Sequence, residues 1–184
     1  SAKSSRRKRN LLSMEAKVVV LSPQHKDAKK SFKCGSDILD KYLAQFAFQD
    51  QQKKLSVCFV FENPSEEIIG YYTLNASSVD AKNIIDQRLM PFKTNYQTLP
   101  IILIGRFAID QQFKGKGYGK KLLSDALKRC TQQAHQIGAC AVFVEPKDES
   151  ARQFYLKFGF RSLPDQNKMF ITMQNLIKIY SVFH

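Results

Sequence analysis

The chain has 184 residues, 43% hydrophobic and 24% charged, with a formal net charge of +13. That length suits one domain burying roughly 70% of the surface the unfolded chain exposes, so no metal or disulfide staple is needed to hold a core. Gly and Pro number only 8 and 6 against 14 Phe and 7 Tyr, which excludes collagen-like and disordered classes. The longest apolar run, residues 137–144, is far short of the about 20 residues of a spanning helix, so no membrane partner is expected.

The basic excess would draw polyanions such as RNA, DNA or a phosphorylated cofactor, with strongly salt-dependent binding, although charge alone equally fits a solvated surface. The four cysteines, Cys34, Cys58, Cys130 and Cys140, form no C-x-x-C pair and only three histidines accompany them. No zinc framework is built that way, and no metal site is expected. Cys58 and Cys140 stand in apolar runs and read as buried thiols of a reducing cytosol.

Residues 1–13 have no periodicity, carry Lys3, Arg6, Arg7, Lys8 and Arg9, and read as a flexible basic arm, either an upstream extension or a cloning remnant. Residues 14–184 read as the single domain. After Met14, Val18 to Leu21 form a first strand. Ile38, Leu39, Tyr42, Leu43, Phe46 and Ala47 recur at helical spacing behind Ser36 or Asp37 as the N-cap. Residues 57–61 and 68–74 are β-rich runs around a turn-like Glu62–Glu67, a hairpin. Residues 79–98 predict a short helix and loop, and 101–109 a strand. Leu122, Leu123, Ala126, Leu127, Cys130, Ala134 and Ile137 then line one face of a long helix that should end at Gly138 as C-cap. Cys140 to Val144 reads as a buried strand, parallel to its predecessor through a right-handed crossover. Asp148 caps a further helix with Ala151, Phe154, Tyr155 and Phe158 inward and Gly159 at its end. A last strand near 168–173 completes a mixed α/β sheet.

The strand-to-helix turn Asp110–Lys121 is the most informative segment. Gly115, Gly117 and Gly119 strip side chains from a turn that opens a helix, where backbone N–H groups and the positive end of the dipole favour an anion. It fits neither a Walker loop nor a dinucleotide fingerprint. Lys114, Lys116 and Lys120 around it favour a phosphorylated ligand, and each is equally at home as a solvated surface charge.

Gln112-Phe113-Lys114-Gly115-Lys116-Gly117 resembles the Q/R-x-x-G-x-G/A signature of the GNAT acetyltransferases, and residues 148–160 resemble that family's N-x-x-A-x-x-F-Y-x-x-x-G-F helix. Phe32–Gly35 with Leu39–Leu43, Gly70–Leu74 and Gly105–Asp110 further resemble the acetyltransferase toxins of bacterial type II toxin–antitoxin systems. Asp148 departs from the pattern, because many relatives have Asn there. The resemblance implies the GNAT fold, a mixed central sheet with splayed parallel strands flanked by helices. It implies acetyl-CoA as cosubstrate, bound by Phe107, Ala108, Ile109, Gln112, Lys114, Gly115, Lys116, Gly117, Tyr118, Gly119, Lys120, Ser150 and Phe154. It implies Tyr155 as the proton donor to the leaving thiolate, whose role from residue type alone is equally that of a core aromatic. Arg106, Lys33 and Lys93 are the substrate-binding candidates, Arg106 having an internal salt bridge as its competing role. The implied partners are aminoacyl-tRNA, a cognate antitoxin and a second copy in a homodimer, all cytoplasmic.

The predicted central strand carries Arg106 and no acid before Asp110, so a general base is missing, with Glu145 as a distant candidate. An α-amine of pKa about 7.8 is roughly 14% neutral at pH 7, against about 0.04% for a lysine of pKa 10.4. An acceptor that needs no base is therefore an α-amine. Protein or small-molecule amines remain the alternative acceptors, and a non-catalytic nucleic-acid module the alternative class.

Overall fold

The structure is a computed structural model that describes residues 15–85, 89–164 and 166–181; the basic arm lies outside the described residues. Strands are β1 (Lys17–Val20), β2 (Val57–Glu62), β3 (Ile68–Asp80), β4 (Thr98–Ile109), β5 (Ala141–Val144), β6 (Arg161–Ser162) and β7 (Met169–Thr172). Helices are α1 (Ala28–Ser31), α2 (Asp37–Lys41), α3 (Ala47–Gln52), α4 (Lys82–Ile85), α5 (Tyr118–Ala134), α6 (Glu149–Lys157) and α7 (Met173–Ser181). The hydrogen-bonded strand order is β1-β2-β3-β4-β5-β7-β6. β1 and β2 are antiparallel, β4 and β5 parallel, and β7 antiparallel to both β5 and β6. This is the mixed α/β sheet expected. The β4–β5 register ends at Ile104↔Val144, and β4 runs on to Ile109.

The elements group into two compact units, one holding the described residues through Thr73 with Arg106–Leu123, the other Leu74–Gly105 with the described residues from Ser124. β3, β4 and α5 pass from one to the other. Each unit has its own apolar core. In the first, Leu21, Phe32, Tyr42, Leu43, Cys58, Val60 and Tyr71 pack with Ala108. In the second, Val79, Ile84, Leu99, Ile101, Phe143, Leu163 and Phe170 do so.

Local chemistry explains the turns. Between β2 and β3 the Asn63 side chain accepts the N–H groups of Ser65 and Glu67, both at 3.0 Å, an Asx-type turn that closes the hairpin. Asp148 caps α6 by accepting the Ala151 N–H at 2.8 Å, and Gly159 ends the helix region at φ +87°. Ser36 is the N-cap of α2 without a side-chain cap bond. Between α2 and α3 the chain passes through a π segment, Tyr42–Phe46, where the spacing predicts unbroken α-helix.

Several expectations need correction. α5 ends at Ala134, and Ile137 is 73% exposed, because the Gln136 and Ile137 N–H groups both turn back to Gln133 O and close the helix before Gly138. Cys140 is half-buried while Cys34, Cys58 and Cys130 are buried. β3 extends six residues past Leu74. The final strand is followed directly by α7, whose Met173 N–H is bonded to Cys140 O at 2.8 Å.

Gly70 sets how closely β3 approaches β4. A Cβ there would lie 2.7 Å from the Ala108 carbonyl oxygen, 2.6 Å from Ile109 Cδ1 and 3.0 Å from Leu122 Cδ2. The carbonyl is backbone and yields only if β4 shifts. Gly70→Ala should cost about 1–3 kcal/mol by overpacking and lower Tm by roughly 3–10 °C in a thermal melt. An unchanged Tm would show that β4 has slack there.

Candidate active site

The first unit carries the glycine turn. Asp110, buried where β4 ends, opens a 3-10 turn, Gln111–Phe113. Its carboxylate accepts the Gln112 N–H at 2.9 Å and the Lys33 N–H at 2.8 Å. Gly115 and Gly117 follow with φ of +75° and +83°, and a Cβ at either would meet nothing within 4 Å. Glycine is needed there for the backbone, and the space beside it is open. α5 then starts at Tyr118, with Lys121 N–H reaching Gly117 O at 3.4 Å. The N–H groups before that bond have no intrahelical acceptor and, with the helix dipole, form a site for an anion. The residues present therefore fit a pyrophosphate.

The expected lysines differ in availability. Lys114 Nζ donates to Cys34 O at 2.5 Å, a tie between loops. Lys116 lies over the Phe113 ring at 5.7 Å, and Lys120 is exposed. The Tyr118 ring meets Phe61 and Phe113 edge-on, which fixes the first turn of α5 against β2. Phe107 and Ile109 are half-buried and Ala108 buried.

Among the described residues Arg106 forms no salt bridge. Its guanidinium carbon lies 3.5 Å from the Tyr42 ring centroid, a cation–π stack. Tyr42 is buried, its hydroxyl donating to Asp50 Oδ2 at 3.0 Å and sharing a 3.2 Å bond with Ser56 Oγ. Arg106, Tyr42, Asp50, Ile38, Lys41 and Phe46 line a cavity of about 370 Å³. Lys33 is exposed, but its backbone is held at both ends, N–H to Asp110 and C=O from Gln111 N–H at 2.7 Å. No sequence pattern signals the Arg106–Tyr42 stack, the π segment or the buried His25–Glu62 pair. His25 Nε2 lies 3.1 Å from Glu62 Oε2, and its Nδ1 accepts the Ser22 N–H at 2.9 Å. That pair lines a second cavity of about 380 Å³ with Asp110 and Gln112.

The second unit carries Tyr155, Ser150 and Phe154 on α6, and Lys93 in the segment before β4. Tyr155 is buried, with its ring against Phe154 and Phe160 at 5.4 and 5.3 Å. Burial pushes its phenol well above the ordinary value, so it is protonated at any physiological pH. Ser150 and Lys93 are exposed. Glu145 is exposed with Lys168 at 3.9 Å, a solvated strand-end charge. Burial pushes the Cys58 and Cys130 thiols up to about 12, so neither is a nucleophile at neutral pH. Among the described residues no His, Cys, Asp or Glu group is arranged to hold a metal ion, and no helix is long and apolar enough to cross a membrane.

Gly117→Ala adds no clash but forces a Cβ into the left-handed region, at about 1–2 kcal/mol. The expected result is a Tm lower by roughly 2–8 °C and, as the turn relaxes away from its native backbone, acetyl-CoA binding weaker by about five- to thirtyfold by calorimetry. Unchanged affinity would remove the turn from cofactor binding.

The sequence pattern of the acetyltransferase (GNAT) domain family matches residues 54–162, through both units. A tRNA-acetylating toxin of Mycobacterium tuberculosis is 36% identical over 141 residues, 75% of this chain and 81% of that protein. The probable toxin TacT of Sinorhizobium fredii is 26% identical over 165 residues, 85% of this chain and 90% of that one. Two solved structures share the fold. A tyrosine-to-phenylalanine variant of KacT gives a TM-score of 0.80 at 22% identity, over 90% of this chain and 99% of that one. AtaT complexed with acetyl-methionyl-tRNAfMet gives 0.78 at 24%, over 92% and 100%. The chain belongs to the GNAT family of acetyl-CoA-dependent N-acetyltransferases.

Proposed function

We propose that the chain, residues 14–184 acting as one domain, is a cytoplasmic toxin that acetylates the α-amino group of aminoacyl-tRNA and blocks translation until a cognate antitoxin binds it. The observation that carries this reading is the 36% identity to a protein named tRNA-acetylating toxin, across 81% of that protein. A structural relative at 22% identity, a variant of the toxin AtaT, is bound to the C-terminus of the antitoxin AtaR and acetyl-CoA, which supports the reading.

When bound, acetyl-CoA supplies an acetyl group activated as a thioester. The backbone N–H groups of residues 115–120, with Gln112, Lys116 and Lys120, hold its pyrophosphate. Lys114 serves by fixing the loop through Cys34 O. The backbone of Phe107, Ala108 and Ile109 would line the pantetheine arm and orient the acetyl carbonyl; on α6, Ser150 and Phe154 are the candidate acetyl-CoA contacts. As the acceptor nitrogen bonds to the acetyl carbon and the C–S bond breaks, Tyr155 would protonate the departing CoA thiolate, and the proton shed by that nitrogen would return through solvent to the phenolate. Arg106 contacts the acceptor, with Lys33 and Lys93 answering its phosphates.

The test is acetyl transfer from labelled acetyl-CoA to a charged tRNA pool, beside uncharged tRNA, a peptide mixture and the Tyr155→Phe variant. Label should appear on charged tRNA alone. The variant should lose at least a hundredfold in kcat with acetyl-CoA affinity within about twofold. Label on peptides alone would make the chain a protein acetyltransferase, and full turnover without the Tyr155 hydroxyl would remove it as donor.

The rate should also depend on pH in one direction only. kcat/KM for the acceptor rises as its amine deprotonates, through about pH 7–8. Because burial raises the Tyr155 pKa, the donor form persists to higher pH, and no falling limb appears below about pH 10. A descending limb between pH 7 and 9 would contradict Tyr155 as the acid.

A further inference from the structure

The cavity beside Arg106 differs from an ordinary side-chain slot. At 3.5 Å from the ring centroid the guanidinium must lie on the face of Tyr42, and Arg106 itself lines the cavity. Two planar groups thus form a plate with the guanidinium uppermost. The lower plane is fixed, because Tyr42 is buried and its hydroxyl is held by Asp50 and Ser56. Ile38 and Phe46 stand at the cavity, 81% and 44% exposed. Lys41 adds a cation and Asp50 a hydrogen-bond acceptor.

We infer that this plate stacks the 3′-terminal adenine of the acceptor RNA, the base of the nucleotide that carries the aminoacyl ester. The inference rests on the aminoacyl-tRNA reading. Guanidinium and aromatic planes are the groups on which unpaired bases stack, and they do so without needing a closed pocket. The volume, about 370 Å³, lies in the range of small-molecule sites, about 300–1,000 Å³, and exceeds any single amino-acid side chain. A slot for an apolar side chain would gain nothing from a guanidinium, whereas a stacked base leaves its N–H groups in plane to meet a phosphate or solvent. Position agrees as well. Arg106 adjoins Phe107, the first of the three β4 residues proposed to orient the acetyl carbonyl, and the terminal ribose is joined to the reacting aminoacyl group by one ester bond. The exposed apolar side chains of Ile38 and Phe46 then cover the edges of the base. Lys41 faces the adjoining phosphate, and the Asp50 carboxylate accepts from the exocyclic amine or a ribose hydroxyl.

The experiment has two arms, both on the full chain, with acetyl-CoA affinity checking that each variant is folded. In the first, the probe is an uncharged C-C-A trinucleotide whose adenine is replaced by 2-aminopurine, whose fluorescence falls on stacking. Quenching is expected with the unaltered chain and with Tyr42→Phe. It should be lost in Arg106→Ala, and in Arg106→Lys, which keeps the charge and loses the plane. In the second, acceptors are an aminoacyl amide of 3′-amino-3′-deoxyadenosine and the same amide on a base-free ribose. The base should improve kcat/KM by about five- to a hundredfold, and Arg106→Ala should bring that ratio near one. Absent quenching, or a ratio near one in the unaltered chain, overturns the plate while acetylation of charged tRNA still stands. If Arg106→Ala alters discrimination among amino acids and leaves the base ratio intact, the cavity holds the aminoacyl side chain and the inference is wrong. If neither charged tRNA nor the adenosine amide is acetylated, the functional reading falls and the plate with it.

Discussion

One buried carboxylate, Asp110, fixes three chain segments at once. It accepts the Lys33 and Gln112 N–H groups at 2.8 and 2.9 Å, while its own N–H is bonded to Ile69 O at 2.8 Å. A carboxylate out of water is tolerated only when donors surround it, and each such charged bond contributes about 1.5–3 kcal/mol. The end of β4, the start of the glycine turn and the segment before α2 therefore cannot separate without stranding the charge. The same device recurs one step on. The Asp40 carboxylate, also buried, accepts the Cys34 N–H at 2.8 Å, and Tyr71 donates its hydroxyl to Leu39 O. Two carboxylates thus carry the turn's position through to the helix that holds Tyr42.

This use of acids bears on the charge of the surface. The chain has 16 acidic residues against 29 lysines and arginines, and Asp40, Glu62 and Asp110 are buried. Each is answered from within by backbone N–H groups or, for Glu62, by His25 and Lys17. The side chains that a polyanion can touch are therefore more basic than the composition states, while the net charge that sets the long-range field stays the same.

What was legible in the sequence was local. The strand–turn–helix around the glycines, the Asp148 cap and the hairpin turn at Asn63 are encoded by residues a few positions apart and stand where read, with Gly119 inside α5 rather than in the turn. Three features were not legible because apolar spacing does not report them. Ile137 continues the apolar stripe of α5, but the chain has already turned back at Gln133. The π segment interrupts a stripe whose spacing fits an α-helix equally well, since Tyr42, Leu43 and Ala47 are buried in either winding. Arg106 suits a salt bridge by residue type, yet it lies over an aromatic ring contributed by the π segment more than 60 positions earlier. No pattern within a strand announces that.

The absence of a base follows from the same economy. β4 carries no acid from Thr98 to Ile109, and Asp110, next in line, already accepts two backbone bonds in a buried setting. Taking a proton there would weaken the contacts that place the turn. Glu145 is exposed with Lys168 beside it. An acceptor must then arrive with its lone pair free. A lysine at neutral pH is neutral about four times in ten thousand, an ordinary α-amine about once in seven, and an α-amine beside an ester carbonyl more often still. Selectivity for aminoacyl esters thus needs no reader of amine type. In the proposed reaction it arises because the substrate brings an amine that deprotonates readily, whereas a lysine would need a base that β4 does not carry.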